Sequence, residues 1–143
     1  MKLSRRGEYA LKALIHLARR GEGGVATVPE MGRLEGLPEP FLHQILLELT
    51  SGGVLKSRRG RGGGFELARP ASEIFLGSVV RLVDGPLAPI PCASVTAYEA
   101  CPTCPEPGAC DLRGVMRRVR DAVADILDHT TLADAASGAE ART

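Results

Sequence analysis

A basic, glycine-rich stretch in the middle of the chain restricts its possible folds most strongly. Residues 58–64 read RRGRGGG and separate two short hydrophobic segments, 54–57 and 65–68. Two strand candidates joined by a glycine-rich loop indicate a β-hairpin. A phosphate-binding loop is a poorer interpretation, because no Gly-Lys-Ser/Thr sequence closes the run and no helix pattern begins there. A flexible, solvated loop is the remaining alternative.

Two short helical patterns directly precede this hairpin. The first begins at the capping residue Thr27 and ends near Gly36, and the second opens at residues 37–40 and closes at Gly52. Two short helices joined around a glycine are typical of a helix-turn-helix, and a hairpin that follows them takes the position of a wing. We therefore predict a winged helix-turn-helix, whereas the helix pair alone would also fit an ordinary helical hairpin.

Charge is distributed unevenly along the chain. Residues 1–72 contain 12 Lys or Arg and 7 Asp or Glu, a net charge of +5. Residues 73–143 contain 6 and 10, a net charge of −4, so the overall value of +1 conceals two opposite halves. A basic half that carries a helix-turn-helix indicates double-stranded DNA as the partner.

The candidate DNA contacts lie on three elements. The second helix of the pair would enter the major groove, where a glutamine can pair with adenine. The arginines of the hairpin loop would reach the minor groove, and those at the start of an earlier amphipathic helix, residues 4–20, would contact phosphate. The candidates are Arg5, Arg6, Phe41, His43, Gln44, Arg59 and Arg61.

All four cysteines lie in one short stretch. Cys92, Cys101, Cys104 and Cys110 are spaced C-x8-C-x2-C-x5-C, and the prolines between them disfavour a helix. Three interpretations of this spacing remain open: an iron–sulfur cluster, a zinc site and a thiol switch. The spacing favours a metal over a thiol switch and does not separate iron from zinc.

The expected compartment supports this interpretation. No run approaches the ~18 apolar residues of a membrane span, and the N-terminus does not read as a signal peptide. We therefore expect a cytoplasmic protein with no membrane partner. Thiols stay reduced there, which favours metal or redox chemistry over structural disulfides.

Residues 111–128 form the longest helical pattern. Its apolar residues recur in steps of three and four, at Leu112, Val115, Val119, Ala122 and Ile126. This is a coiled-coil-like seam over two heptads, too short to hold a dimer alone. We predict that this helix packs on a partner subunit and on its own first helix, in a homodimer. A helix buried within the monomer is the alternative.

Three segments resemble one known family. They are SRRGEYALKAL at 4–14, SRRG and GGFELARP within 57–70, and LDHTTLAD at 127–134. With cysteines ahead of a long helix, these strings resemble the Rrf2 family of winged-helix regulators, of the IscR, NsrR and RirA type. The resemblance extends in order over residues 1–136.

The resemblance implies a homodimeric transcription regulator that binds an operator in double-stranded DNA. In many members a cysteine loop holds an iron–sulfur cluster, [2Fe-2S] or [4Fe-4S]. The state or occupancy of that cluster changes operator binding in response to iron–sulfur status, iron, nitric oxide or redox. Some relatives lack a cluster and respond to other signals.

The cluster ligands that the resemblance implies are cysteines of this loop. Cys104 and Cys110 match the C-x5-C spacing of the family. Cys92 matches the first ligand position and Cys101 is additional, so all four are candidate metal ligands. In several members the fourth ligand is an acidic or histidine side chain, sometimes from the first helix of the partner subunit, which makes Glu8 a further candidate. A solvated carboxylate is the alternative for Glu8.

The expected fold is mainly α with a small β-hairpin, a winged helix-turn-helix plus a long dimerisation helix. Its parts are the DNA-binding domain at 1–84, the cysteine-bearing cluster loop at 85–110, the dimerisation helix and a capped turn at 111–136, and a disordered tail at 137–143.

The expected function is that of a cluster-modulated regulator and not of an enzyme, since no Cys-His pairing is evident. A cluster-free regulator acting as a thiol-redox switch, or one stabilised by zinc, is the first alternative. The others are an enzyme with Cys101 or Cys110 as nucleophile and a protein–protein module with structural zinc.

Overall fold

The computed structural model of the protein describes residues 2–104 and 106–138. Within these ranges the chain forms α1 (Arg5–Arg19), α2 (Val28–Glu35), α3 (Glu39–Ser51), β1 (Leu55–Arg58), β2 (Gly64–Leu67), α4 (Leu76–Asp84), α5 (Asp111–Asp128) and α6 (Leu132–Ser137). Short 3-10 turns lie at Ala71–Glu73, Pro91–Ala93 and Pro107–Ala109. The predicted, mainly helical fold with one small hairpin is confirmed. No helix in these two ranges is long and apolar enough to cross a membrane.

Helix α1 is the central element of the core. Its residues Ala10, Ala13, Leu14 and Leu17 are fully buried. Their spacing of three and four residues places them on one face of the helix. Helices α2, α3, α4 and α6 and strand β2 all pack against α1.

The start of α1 is held by the end of α4. Ser4 caps α1 by accepting a hydrogen bond from the N–H of Gly7 (3.0 Å). The carboxylate of Asp84 in turn accepts hydrogen bonds from the backbone N–H of Ser4 (2.9 Å) and from its hydroxyl. A Cβ at position 7 would lie 2.7 Å from the Asp84 carboxylate, so the close approach of α4 requires glycine there.

Helices α2 and α3 are joined by a tight turn. Thr27 caps α2 by accepting a hydrogen bond from the N–H of Glu30 (3.2 Å). Gly36 ends α2 at a φ of 69°, a conformation that favours glycine. The N–H of Leu37 bonds to the carbonyl of Gly32 (2.9 Å), and α3 begins two residues later. The buried residues of α3 are Leu42, Ile45, Leu46 and Leu49.

The hairpin is attached to the helices by a third extended residue. Ala26 exchanges two backbone hydrogen bonds with Phe65 (3.0 and 2.9 Å). A Cβ at Gly64 would overlap the carbonyl of Ala26, so glycine allows β2 to start at this residue, one earlier than predicted. Strand β1 starts one residue later than predicted, because the N–H of Val54 bonds to the carbonyl of Leu49 at the end of α3 (2.9 Å).

Helix α6 closes the core where only a capped turn was predicted. Thr131 accepts a hydrogen bond from the N–H of Asp134 (3.1 Å), and the Asp134 carboxylate accepts one from the N–H of Thr131 (3.0 Å). Leu132 is fully buried against the core. Ser137 is the last residue of α6 and not the first of a tail. Residues 139–143 of the expected tail lie outside the described ranges.

Helix α5 packs on the rest of the molecule along one side only. Arg81 of α4 forms two hydrogen bonds with the carboxylate of Asp128 (2.6 and 2.9 Å). Ala124 of α5 forms a small buried cluster with Val80 of α4 and Leu87. The helix has the predicted bounds, and its packing on α4 was not foreseen.

Exchange of Asp128 for asparagine tests the junction between α4 and α5. The hydrogen-bonded Arg81 holds the pKa of Asp128 below its ordinary value. The ionised carboxylate therefore stabilises the fold above about pH 4, and this contribution is lost as the pH falls through the lowered pKa of the folded state. Both side chains are partly exposed, so we expect Asp128→Asn to lower the free energy of unfolding by about 1 kcal/mol at pH 7.

Urea unfolding at a series of pH values measures this effect. The difference between Asp128→Asn and the natural protein should shrink toward zero as the pH falls below about 4 and through the lowered pKa of Asp128. Asp121→Asn is the matched control, since Asp121 is 63% exposed and pairs with its neighbour Arg120 on the surface of the same helix. A difference that stays constant over this pH range would contradict the role assigned to Asp128.

Candidate DNA interface and cysteine loop

The exposed face of α3 is the centre of a candidate DNA interface. Phe41, His43 and Gln44 are exposed on this face. The ring of Phe41 meets Tyr9 of α1 edge-on, with centroids 5.6 Å apart. His43 meets Phe65 of β2 in the same manner at 6.4 Å. Helix α3 is thus supported by α1 and by the hairpin, which fixes the direction of its polar side chains.

The two arginines at the start of α1 adjoin this face. The neighbouring side chain of Tyr9 raises the pKa of the Arg5 guanidinium. Arg6 forms an ion pair with Glu48 of α3. Arg6 therefore links α1 to α3, and its charge is partly neutralised within the protein. Arg5 lies beside the neutral phenol of Tyr9, which does not neutralise the charge of the guanidinium.

Two exposed arginines lie on the loop that joins the two strands of the hairpin. Arg58 pairs with Glu66 across the hairpin (2.9 Å), and the ammonium of Lys56 lies 3.8 Å from the same carboxylate. Glu66 is only 7% exposed, so this cluster is structural. Arg59 and Arg61 are exposed, and neither forms an ion pair with any residue of the described ranges.

The loop that carries these arginines is a compact turn. The N–H of Gly63 bonds to the carbonyl of Gly60 (2.9 Å). Gly60 and Gly62 have positive φ angles of 88° and 76°. A Cβ at Gly63 would overlap the carbonyl oxygen of Arg58. The glycines therefore bring the chain close to itself and leave the arginine side chains projecting from the hairpin.

The cysteine loop begins with a segment that is held against the core. Leu87 is buried near the contact of α4 with α5. Cys92 and Ala93 are buried in the 3-10 turn that follows. Cys101 and Cys104 are partly exposed and are joined by a turn, in which the N–H of Cys104 bonds to the carbonyl of Cys101 (3.2 Å).

Cys110 is the N-terminal cap of α5. Its Sγ accepts a hydrogen bond from the N–H of Arg113 (3.4 Å), a role that Ser, Thr, Asp or Asn usually fills. The same thiol is a near neighbour of Cys104 and contributes to the raised pKa of that thiol. Helix α5 therefore starts at an atom that can also bind a metal or be oxidised.

The thiols of the loop differ in acidity. The pKa of Cys101 is lowered, because the hydroxyl of Thr103 (3.3 Å) and nearby backbone N–H groups hydrogen bond to its sulfur. The pKa of Cys104 is raised, mainly by desolvation and then by the neighbouring Cys110. Cys101 is thus the more acidic thiol of the Cys101–Cys104 turn.

The donors of the loop suit an iron–sulfur cluster in their chemistry. Such a cluster binds cysteine thiolates, and N–H groups next to the sulfurs tune it. Within residues 2–104 and 106–138, however, no three His, Cys, Asp or Glu side chains converge on a point that could hold a metal ion. All four cysteines are free thiols.

Glu8 lies on α1 and pairs with Lys12 one turn further along (3.3 Å). Its side chain is about half-exposed. Within one subunit, Glu8 therefore has the environment of an ordinary solvated carboxylate.

Three residues of this region escaped the sequence analysis. Tyr9 supports Phe41 and Arg5, Glu66 holds the hairpin, and the Nε of Arg113 donates to the carbonyl of Cys92 (2.8 Å). Only Glu66 had a usable signal, because it lies opposite Lys56 in the hairpin register, and opposite charges on paired strands stabilise a sheet. The other two look like ordinary residues of helix surfaces.

Comparisons with known proteins agree with this geometry. The model of the Rrf2 family, described as iron-dependent transcriptional regulators, matches residues 3–138. An rrf2-like HTH-type transcriptional regulator of Rhodobacter capsulatus is 38% identical over 135 residues, which cover 92% of this chain and 90% of that protein.

Two solved structures share the whole fold. The structure of CymR, the global cysteine regulator of B. subtilis, superposes with a TM-score of 0.80 at 33% identity, covering 96% of this chain and 97% of that one. The structure of T. potens IscR gives a TM-score of 0.77 at 28% identity, covering 100% of this chain and 92% of that one. The chain therefore belongs to the Rrf2 family of winged-helix transcription regulators.

Proposed function

We propose that the protein is a homodimeric regulator whose affinity for its DNA operator is set by an iron–sulfur cluster in the cysteine loop, residues 92–110. The observation that carries this proposal is the position of Cys110. Its sulfur belongs to the cysteine cluster and also caps the helix that would join two subunits. A single atom therefore connects the chemistry of the loop to the arrangement of the dimer.

Operator recognition is assigned to α3 and the hairpin. Phe41, His43 and Gln44 would lie against base edges in the major groove, as a recognition helix requires. Arg59 and Arg61, which lack acidic partners in the described chain, would enter the minor groove. Arg5 and Arg6 would contact phosphate, and Arg5 is the stronger candidate because Arg6 is paired with Glu48.

The cluster would be held by thiolates of Cys92, Cys101, Cys104 and Cys110, in a set of three or four. Cys101, Cys104 and Cys110 are grouped at the C-terminal end of the loop, whereas Cys92 is buried at its start. Glu8 of the partner subunit is a further candidate ligand. When bound, the cluster supplies a group whose charge or occupancy responds to iron, oxidants or nitric oxide.

Dimerisation is assigned to a stripe on α5, defined as Leu112, Val115, Val119, Ala122 and Ile126. Leu112 is 60% exposed and Ile126 is 63% exposed, although both are large and apolar. The stripe lies on a different side of α5 from Ala124, which packs on α4. An exposed seam of this kind needs a partner, and burying each of its large side chains would contribute roughly 1.5–3 kcal/mol.

Charge along one edge of the stripe favours an antiparallel pair of α5 helices. Arg118 and Asp125 are both exposed and lie seven residues apart, so they flank the same edge. In a parallel pair in register, Arg118 would face Val123 of the partner subunit and would gain no charged partner. Antiparallel helices can place Arg118 opposite the partner's Asp125, twice per dimer by symmetry.

Cys110 would transmit the state of the loop to the DNA. Its thiolate, when it binds the cluster, changes the acceptor for the N–H of Arg113 and with it the first turn of α5. Leu112, the first residue of the dimer stripe, lies in that turn. A shift there alters the spacing of the two α3 helices and hence their match to the operator half-sites.

A thiol switch without a cluster is the second candidate function. The proximity of Cys104 and Cys110 favours it, since the charge of one thiol influences the pKa of the other. The likeness to a global cysteine regulator of known structure is compatible with it.

Anaerobic purification followed by an absorption spectrum and analysis of iron, sulfide and zinc tests the proposal. We expect iron and sulfide with visible absorption bands. A colourless protein with stoichiometric zinc would replace the cluster with a structural site. A colourless, metal-free protein would favour the thiol switch.

Substitution of Arg59 tests the assignment of the hairpin. We expect Arg59→Ala to weaken binding to a duplex selected by the natural protein from a random-sequence library, by roughly 1–3 kcal/mol at fixed salt if Arg59 reads the groove. A phosphate contact alone would mainly reduce the salt dependence of binding, by about one counterion. The control is Arg69→Ala, which removes the same charge from an exposed position two residues beyond the end of β2. Unchanged affinity of Arg59→Ala at matched salt would refute the assignment.

A charge exchange tests the antiparallel α5 pair. Arg118→Asp and Asp125→Arg should each weaken the dimer, and the double variant should restore it, since opposite charges again face each other. Sedimentation equilibrium at low salt measures the dimer dissociation constant, with an expected change of roughly 3–10-fold per single variant. Arg117→Asp, exposed on another side of α5, is the control. A double variant that is weaker than both single variants would rule out this pairing.

A further inference from the structure

Arg113 of α5 contacts both ends of the cysteine loop. Its backbone N–H donates to the Sγ of Cys110 (3.4 Å), and its side-chain Nε donates to the carbonyl of Cys92 (2.8 Å). Its guanidinium carbon lies 5.7 Å from the ring centroid of Tyr98. One residue thus joins the cap of α5 to the part of the loop that carries the buried cysteine.

The segment that Arg113 contacts is a compact lobe, residues 91–99. The N–H of Glu99 bonds to the carbonyl of Pro91 (3.3 Å) and closes the lobe. Cys92 is 8% exposed, and Ala93 is fully buried. Arg113 contacts this lobe near its start, at the carbonyl of Cys92, and near its end, at the ring of Tyr98.

We propose that Arg113 is a positioning residue that couples the state of Cys110 to the exposure of Cys92. The backbone N–H of Arg113 donates to the sulfur of Cys110, and its side chain donates to the carbonyl of Cys92 within the lobe in which Cys92 is buried. A change at the Cys110 sulfur therefore moves the residue that keeps Cys92 buried. Its consequence for DNA binding rests on the function proposed above, whereas the coupling itself does not.

The coupling explains how distant donors of the loop can come together. One end of the loop contains Cys101, Cys104 and Cys110. The other end contains Cys92, which is buried in the lobe. Loss of the Cys110 cap would weaken the hydrogen bond from Arg113 to the Cys92 carbonyl and expose the Cys92 side chain to solvent. Arginine suits this role, because its guanidinium can donate directionally to a carbonyl while it stacks on an aromatic ring. Lysine has no equivalent of the Nε–H.

Site-resolved alkylation of the reduced, metal-free, full-length protein tests the coupling. N-ethylmaleimide modification, followed by mass spectrometry of the peptides, gives a separate rate for each cysteine. In the natural protein Cys92 should react slowly and Cys101 rapidly. We expect Arg113→Ala and Arg113→Lys to raise the rate at Cys92 by about tenfold or more, as expected for local opening, and to leave Cys101 within about twofold. Arg117→Ala, on the same helix, should leave all rates unchanged.

A double-mutant cycle separates coupling from simple damage. Cys110→Ala removes the cap and should raise the rate at Cys92 in the natural background, yet add little in the Arg113→Ala background, because both changes act through one residue. Cys110→Ser keeps a capping oxygen and should leave Cys92 protected. Independent, multiplicative effects of the two alanine substitutions, or an unchanged rate at Cys92 in both Arg113 variants, would overturn the proposal. No metal or DNA enters these measurements, so the coupling can be refuted while the proposed function stands, and the reverse.

Discussion

The hydrogen bond between a cysteine sulfur and the first turn of α5 is the contact on which the arrangement of this protein depends. Helix α5 is anchored by Cys110 and Arg113 at its start, by the small cluster around Ala124, and by the Arg81–Asp128 pair at its end. The anchors of its C-terminal half involve no thiol, whereas both contacts at its start are made with the cysteine loop. Sulfur is a weaker acceptor than the oxygen of a usual capping residue, and it is reactive. The first turn of α5 is therefore the part of the helix most easily altered by chemistry.

The DNA-binding part of the molecule has the opposite character. Its recognition helix is supported by α1 through Tyr9 and Phe41 and by β2 through Phe65, and its wing is held by the buried Glu66. Ser4 and Asp84 join the start of α1 to the end of α4, the element that leads into the cysteine loop. In the proposed homodimer, small changes at α5 would alter the separation of the two DNA-binding parts while each of them stays rigid. Affinity for paired half-sites can then change while the structure of each DNA-binding part stays the same.

Much of this architecture could be predicted from local signals. The bounds of α5 follow from the loop prolines before it and from the end of its apolar repeat, and the helix-turn-helix follows from its caps and glycines. The hairpin strands were displaced by one residue, because the hydrogen bonds of Val54 and the approach of Ala26 to Gly64 come from distant parts of the chain. Helix α6 was reduced to a turn, since six residues carry too little periodicity to show that Leu132 fills the core. The cysteine spacing indicated a metal site, whereas within the described residues no three donor side chains converge on a point that could hold a metal ion.

The comparison of operator affinity between two states of the same protein tests the central claim most directly. The anaerobically purified protein and the same protein after removal of its metal by a chelator would be titrated with the selected duplex at one salt concentration. Control by the cysteine loop requires their dissociation constants to differ by at least about fivefold, the lower limit of typical allosteric coupling. Equal dissociation constants would contradict the account, because the chemistry of Cys110 would then have no effect on operator binding.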